Sequence, residues 1–498
     1  MQDKLDKLKK IVGEAFELHR VAAVLDWDQQ VGMPVAAAAN RARQTSLVNS
    51  IAHEKFISDE VGELLSTLEP YMEGLDAESD DYCLIKHVKR EYRRQTQVPV
   101  EYVAEFSHLT SMAHVKWEKA FAAADFSIFK DSLKKIFKMR REYADFFAPY
   151  DHVYDPLIDE FEPGMKTSTL VKIFDEIRPQ QIELLREIAA CPQPDQTCMN
   201  HTFPADKQWE LSNAAAAAMG YDFSRGRLDA VVHPFTTTFN LNDVRITSHV
   251  HLDDLNSLAS TMHEAGHALY EQNISQSLEN TPLATGVSLG IHESQSRFWE
   301  NLVGRSYSFL QFFYPKIQVA FPFLSDTSLD EFYRAYNTVK PGFIRINADE
   351  ATYNMHIMLR FELEVAMLEG NLDVEDLPEA WNSKMDKYLG IVPPNDALGC
   401  LQDVHWSAGL VGYFPTYALG NLISAQLLDK CTEEFSSLDK AFACGRFDEL
   451  RNWLKENIHC YGSKFDPEVL LKRVTGKGID PNYYINYLRE KYSKIYAL

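Results

Sequence analysis

"SLASTMHEAGHALYEQN", Ser257 to Asn273, decides how this chain of 498 residues is read. Two histidines, His263 and His267, stand four residues apart, and Glu264 follows the first. The flanks "LASTM" and "ALYEQ" are amphipathic and free of proline, so the stretch reads as a helix. Four helical residues advance about 6 Å and turn about 40° beyond one revolution, so both imidazoles project from one face. Their nitrogens can then meet at one ion, about 2.0–2.1 Å from each. Glu264 lies about 100° round the helix, poorly placed as a third ligand but well placed to take a proton from water. His-Glu-x-x-His thus specifies two metal ligands and a base. Ala265 and Gly266 are small and leave room for a sheet or substrate to approach. The plain alternative is a pair of ordinary core or surface histidines.

A catalytic ion of this kind usually has a third protein ligand and one open position. "LGIHESQSRFWENLVGR", Leu289 to Arg305, reads as a second helix that can return a carboxylate to the ion. Glu293 is the preferred ligand and His292 its competitor. Two histidines and one carboxylate leave the ion acidic enough to activate water.

Working outward, three- and four-residue apolar spacing predicts helices over most of the chain. Examples are "LDKLKKIVGEAFELHRVAAVLDW", "DEVGELLSTL", "SIFKDSLKKIFKMRREYADFF" and "TSTLVKIFDEIRPQQIELLREIAA". Pro149 and Pro156 flank a loop, Cys191 to Lys207 is a turn-rich linker, and a last helix follows Pro481. The exception is "HPFTTTFNLNDVRITSHVHL", His233 to Leu252, which reads as a hairpin of two short strands.

Composition narrows the class. Hydrophobic residues make up 45% and charged residues 24%, a globular balance, and the net charge is -22. Broad binding to nucleic acid or an anionic membrane needs a basic face that such a chain is not expected to carry. The seven cysteines form no CxxC pair and read as reduced thiols in a cytoplasmic protein. The N-terminal residues lack the apolar core of a signal peptide. Val404 to Leu428 is long and uncharged, but its Gly, Pro, Tyr, Asn and Gln suit a buried wall better than a membrane span.

Several of these stretches together resemble the Taq-type thermostable metallocarboxypeptidase family. The resemblance rests on "HPFTTTFNLNDVRITSH", "HEAGH", "HESQSR", "IRINADE" and "GCLQDVHWSAGLVGYFPTYALGN", in that order. "VLDWDQQVGMP" and "YDPLIDEFEPGMKTSTLVKIFDEIRP" extend it over nearly the whole chain. It implies a mainly α, zincin-like fold with a deep cleft and a small sheet beside the HEAGH helix. One catalytic unit is expected, with helical lobes of about 1–200 and 201–498. The resemblance also implies a homodimer that trims peptides from a free C-terminus, with His263, His267 and Glu293 on the metal and Glu264 as base and acid. Zinc is the expected ion, and cobalt or manganese suits the same donors.

A carboxypeptidase must read a free carboxylate, and arginine's planar fork does so with two parallel bonds. Arg345 is the first choice, in agreement with the family pattern, and Arg245 the second. The ordinary readings pair Arg345 with Asp349 or Glu350 on a helix, and Arg245 with Asp243. Oxyanion donors besides the metal are expected from His405, Tyr413 and Tyr417, with Gln402 and Asp403 orienting His405. The rival functions are a metallo-endopeptidase or oligopeptidase on the same scaffold and, in a different class, a helical binding protein with a dead motif.

Overall fold

Apolar spacing sets most of the chain as helices. The computed structural model describes residues 1–498. The first helix, Gln2–Val31, buries Leu5, Leu8, Val12 and Ala15 along one stripe, as their three- and four-residue steps require. Helices Asp59–Met72, Lys130–Asp145 and Thr167–Ala190 bury comparable stripes. The Cys191–Lys207 linker is irregular apart from one short turn of 3-10 helix, Thr197–Met199, until a helix begins at Ala205. The uncharged stretch after Val404 passes through turns and then enters helix Pro415–Glu434, largely buried. No helix is long and apolar enough to cross a membrane.

A single apolar core runs from Leu5 to Tyr496. Polar ties cross it between the first 200 residues and the rest. The Tyr154 hydroxyl donates to Glu364 at 2.7 Å, and Gln181 donates to the Ala351 carbonyl at 2.6 Å.

The sheet has three strands. β1 (Leu228–Ala230) pairs parallel to β3 (Asp243–Ser248), which pairs antiparallel to β2 (Thr236–Asn240). The predicted hairpin is β2 and β3. β1 adds an element that the sequence did not announce, because three residues are too few to show alternation. Val244, Ile246 and Ser248 share one face of β3 and are fully buried toward the helix Asn256–Gln272, where Thr261 donates to Ser248 Oγ at 3.0 Å.

That helix carries HEAGH and is buried on nearly every side, as befits a central element. The HESQ helix, Leu289–Arg297, lies between it and helix Pro415–Glu434. Two glycines allow this. A methyl group at Gly266 would meet the Gln295 carbonyl oxygen at 2.7 Å and Ser296 Cα at 2.8 Å. One at Gly420 would meet Glu293 Cβ at 2.8 Å. Gly266 therefore makes room for a neighbouring helix backbone, not for the sheet or substrate expected from the sequence.

The HESQ helix starts on Ser288, whose Oγ accepts from the Ile291 amide at 3.1 Å. Glu162 completes this end by accepting from the Gly290 amide at 2.9 Å and the Ser288 hydroxyl at 3.0 Å. Burial pushes the Glu162 carboxyl up to about 7, against the pull of those two bonds. The unfolded carboxyl titrates near 4.5, so the folded chain holds the extra proton between 4.5 and 7. Its contribution to stability is full below 4.5 and fades as pH rises to about 7. With one pKa unit worth about 1.4 kcal/mol, the loss is on the order of 3 kcal/mol. Glu162→Gln should flatten this part of the stability profile, read as the difference in denaturant midpoint from the parent chain at pH 5 and pH 8. Parallel profiles would show that Glu162 stays ionised throughout.

Candidate metal centre and active site

The i and i+4 placement of His263 and His267 brings both Nε2 atoms to the HESQ helix. Glu293 Oε2 lies 3.5 Å from His263 Nε2 and 3.4 Å from His267 Nε2. The three ligand atoms fall within 4.8 Å of one another. Donors 2.0–2.1 Å from a tetrahedral ion stand roughly 3.4 Å apart, so the donor set fits a divalent ion. The side chains of His263 and His267 keep 18% and 15% of their surface exposed, which leaves the corner open to water.

Each candidate ligand is held from behind. The His263 Nδ1 proton goes to Glu300 Oε2 at 2.8 Å, which frees Nε2. Arg297 donates to Glu293 Oε1 at 2.7 Å and to Glu300 Oε2 at 3.1 Å. Oε2 of Glu293 is thereby left as its free ligand atom, touched otherwise by the Ser296 hydroxyl at 3.1 Å. Burial would raise the Glu293 carboxyl, but Arg297 and the two histidines hold it far below the usual range. Glu300 sits in a π-helical segment, Phe298–Val303, where the predicted α-helix to Arg305 departs from regularity. Such bulges are frequent at functional sites.

His292 is placed behind His267, not beside it. The two Nδ1 atoms are 2.5 Å apart, and His292 Nε2 is 2.9 Å from Glu271 Oε1. The competing ligand thus supports His267 through its far nitrogen. Burial and the neighbouring His292 bring His267 down to about 3, so its imidazole is neutral.

Glu264 projects to the side of this cluster. The Thr236 hydroxyl on β2 lies 2.7 Å from Glu264 Oε2 and 2.9 Å from the Glu264 carbonyl oxygen. Burial raises the Glu264 carboxyl, with His263 and Thr236 opposing. A carboxyl raised in this way takes up a proton more readily than an ordinary one, which suits a group that must accept and return one.

Arg345 lies in a short 3-10 turn, Arg345–Asn347, and is buried. The helical pairing with Asp349 or Glu350 does not form. Asp349 accepts backbone amides of Lys340, Ala351 and Thr352, and Glu350 takes Lys491 at 2.6 Å. Arg345 instead directs Nε and one terminal nitrogen to Asp403 Oδ1, at 3.1 and 2.8 Å, and its other terminal nitrogen to the Tyr353 hydroxyl at 2.9 Å. The expected roles of Gln402 and Asp403 change accordingly. Gln402 accepts from the Arg345 amide at 2.8 Å, and Asp403 stays 3.7 Å from His405 Nδ1, beyond hydrogen-bond reach. Both hold Arg345 rather than orient His405.

Arg245 takes the ordinary course. It makes a two-pronged pair with Asp243, both bonds 2.8 Å, and covers the Trp27 ring at 4.5 Å. Alternation along β3 points it away from the face that meets the HEAGH helix, so it is set apart from the metal cluster.

His405, Tyr413 and Tyr417 do come together. The Tyr417 hydroxyl is 3.5 Å from His405 Nε2, and the Tyr413 and Tyr417 rings are 5.4 Å apart. Tyr417 also covers the Arg345 guanidinium at 4.9 Å. Burial lowers His405 to about 4 and raises Tyr417, so both are neutral groups able to donate.

Thr236, Glu271, Arg297, Glu300 and Tyr353 were missed in the sequence. Only Arg297 and Glu300 left a local signal, four and seven residues beyond Glu293 on one helical face. Two surface cavities, about 650 and 550 Å³, contain none of the predicted site residues.

Comparison with known proteins agrees with this architecture. Residues 7–492 match the family model described as Carboxypeptidase Taq (M32) metallopeptidase. Carboxypeptidase 1 of Bacillus subtilis is 40% identical over 479 residues, covering 96% of this chain and 95% of that protein. Thermostable carboxypeptidase 1 of Thermus thermophilus is 38% identical over 97% of both chains. The crystal structure of the M32 carboxypeptidase from Deinococcus radiodurans R1 superposes with a TM-score of 0.96 at 36% identity, covering 100% of each chain. The expected mainly α fold with its small sheet is the observed one. The chain belongs to the Carboxypeptidase Taq (M32) metallopeptidase family and is a metallocarboxypeptidase.

Proposed function

We propose that His263, His267 and Glu293 hold a zinc ion and that Glu264 is the general base and acid for removal of single residues from a free peptide C-terminus. One observation carries the reading: two Nε2 atoms converge on one free carboxylate oxygen at 3.4–3.5 Å, with a raised carboxyl beside them. Two imidazoles and one carboxylate favour zinc, and cobalt or manganese suits the same set. Bound there, the ion supplies Lewis acidity to the water and to the scissile carbonyl.

The chain's own groups supply the rest. Glu264 takes a proton from the attacking water and returns it to the leaving amine. Thr236 fixes the carboxylate for both transfers. Tyr417 and His405, neutral and adjacent, are placed to donate to the developing oxyanion, with Tyr413 beside them. Arg345 anchors the substrate carboxylate. Three of its five N–H donors are engaged by Asp403 and Tyr353, and two remain for the ligand. Arg245, paired on the far face of the sheet, has no part in this scheme.

A cytoplasmic, homodimeric enzyme, one catalytic unit with helical lobes of about 1–200 and 201–498, completes the reading. Seven unpaired cysteines and the continuous core support the compartment and the single unit. The family resemblance supports the dimer.

Glu264→Gln should abolish turnover while metal content, measured on the purified protein, is unchanged. Turnover at the parent rate would remove Glu264 from the mechanism. Arg345→Ala should lose more rate on a peptide with a free C-terminus than on its amidated form, and equal losses would leave the terminus read by another group. Glu300→Gln should weaken zinc roughly 10- to 100-fold in chelator competition, because supporting partners of metal ligands contribute on that scale. Unaltered affinity would mean that Glu300 does not orient His263.

A further inference from the structure

Behind Arg345 lies a second, wholly buried arginine. Arg360, in helix Tyr353–Glu369, has no exposed surface. Its Nε donates to Asp403 Oδ2 at 2.8 Å, a terminal nitrogen lies 2.6 Å from the same oxygen, and the other donates to the His356 carbonyl at 2.6 Å. The guanidinium lies over the Trp381 ring at 4.5 Å and the Phe414 ring at 5.3 Å, so apolar walls fix it on both sides. Asp403 is thus shared, with Oδ1 serving Arg345 and Oδ2 serving Arg360. No other carboxylate pairs with either arginine. Two guanidinium groups and one carboxylate leave a surplus of one positive charge in a buried place.

A lone Arg345–Asp403 pair would be neutral and a poor receptor for an anion. The surplus charge is costly in a low dielectric unless an anion arrives to balance it. The two nearby histidines do not change the sum, since burial lowers both His356 and His405 and keeps them neutral.

We infer that Arg360 is a positioning residue for substrate recognition: it occupies half of Asp403 and so keeps the Arg345 site one charge positive, matched to the carboxylate of a peptide C-terminus. This rests on the reading of Arg345 as the anchor. Arg360 does not touch the ligand. It acts through Asp403, which clamps the Nε edge of Arg345 and leaves the two remaining donors free to point elsewhere.

The test is a charge cycle, read as KM and kcat on one peptide with a free C-terminus. R360Q makes the unit neutral, and KM should rise roughly 10- to 100-fold, the scale of an unpaired buried charge, with the loss concentrated in KM. R360K restores the charge and should recover much of it. The double variant R360Q/D403N removes one charge of each sign, leaves Arg345 alone and positive, and should bind better than R360Q. A merely structural Arg360 would give the opposite order, because the double variant removes two buried hydrogen-bonding partners instead of one. An unchanged KM in R360Q, or a double variant no better than R360Q, overturns the inference. Should R360Q fail to fold, R360Q/D403N against D403N alone decides it: the surplus falls from two positive charges to one, so KM should be higher in the double variant on the free peptide but not on its amidated form, and equal KM values on the free peptide overturn the inference. Failure of the underlying reading shows separately, as equal losses by Arg345→Ala on free and amidated peptides.

Discussion

The candidate metal centre depends on how closely two helix backbones approach. His263 and His267 stand on one helix and Glu293 on another, and the three donors converge only because the second helix presses directly onto Gly266. On its other side, Gly420 lets the helix from Pro415 reach the Cβ of Glu293. The HESQ helix is therefore wedged between two neighbours, with its start fixed by Ser288 and Glu162. A carboxylate held from both sides loses little freedom when it takes up an ion, which is how a preformed site gains affinity. The small residues of HEAGH and YALGN serve this contact, and a side chain larger than hydrogen at either glycine would separate the donors.

Charge is arranged around that contact as a closed chain. Arg297 ties Glu293 to Glu300, and Glu300 ties back to His263. Three charged groups and an imidazole are buried together, and each isolated charge there would be expensive. Arg297 neutralises one carboxylate oxygen of Glu293 and leaves the other turned to the two histidines, so the candidate ligand set donates less charge than a free carboxylate would. A less negative set keeps a bound ion more acidic, which favours activation of water. The π-helical segment after Arg297 belongs to this arrangement, because it carries Glu300 into reach of His263.

What was legible in the sequence follows the range of the interactions. The two histidines and Glu264 were readable because their geometry is set within one helix, and the hairpin because alternation is local. Glu293 was reachable from the ligand sets that such ions take and from the family resemblance. Thr236 was not, because its pairing with Glu264 depends on how the sheet docks against the helix. Arg345 was singled out as the anchor for a free carboxylate, and its neighbours were misjudged. The local rule offered Asp349 and Glu350, while the fold supplies Asp403 from 58 positions away. Arg360 left no local trace at all, since nothing in "MLRFELEV" distinguishes it from a surface helix arginine. Long-range ion pairs in a packed core are the part of a site that spacing cannot reveal.

Tyr353 joins the two halves of the site. Its ring lies against Arg297 at 4.3 Å, within the network that supports Glu293, and its hydroxyl accepts from Arg345 at 2.9 Å. On the proposed assignment, one rigid aromatic then spans from the hydrolytic cluster to the anchor for the terminal carboxylate. An endopeptidase has no need of a fixed interval between those two points, because its substrate continues past the cleft. An enzyme that removes one residue at a time does need it, since the separation of anchor and attacking water selects which bond is cut. A buried, doubly held tyrosine is stiffer than a loop and loses little entropy on binding. The exopeptidase character of the chain is thus written less in the metal ligands, which many peptidases share, than in the short bridge between Arg297 and Arg345.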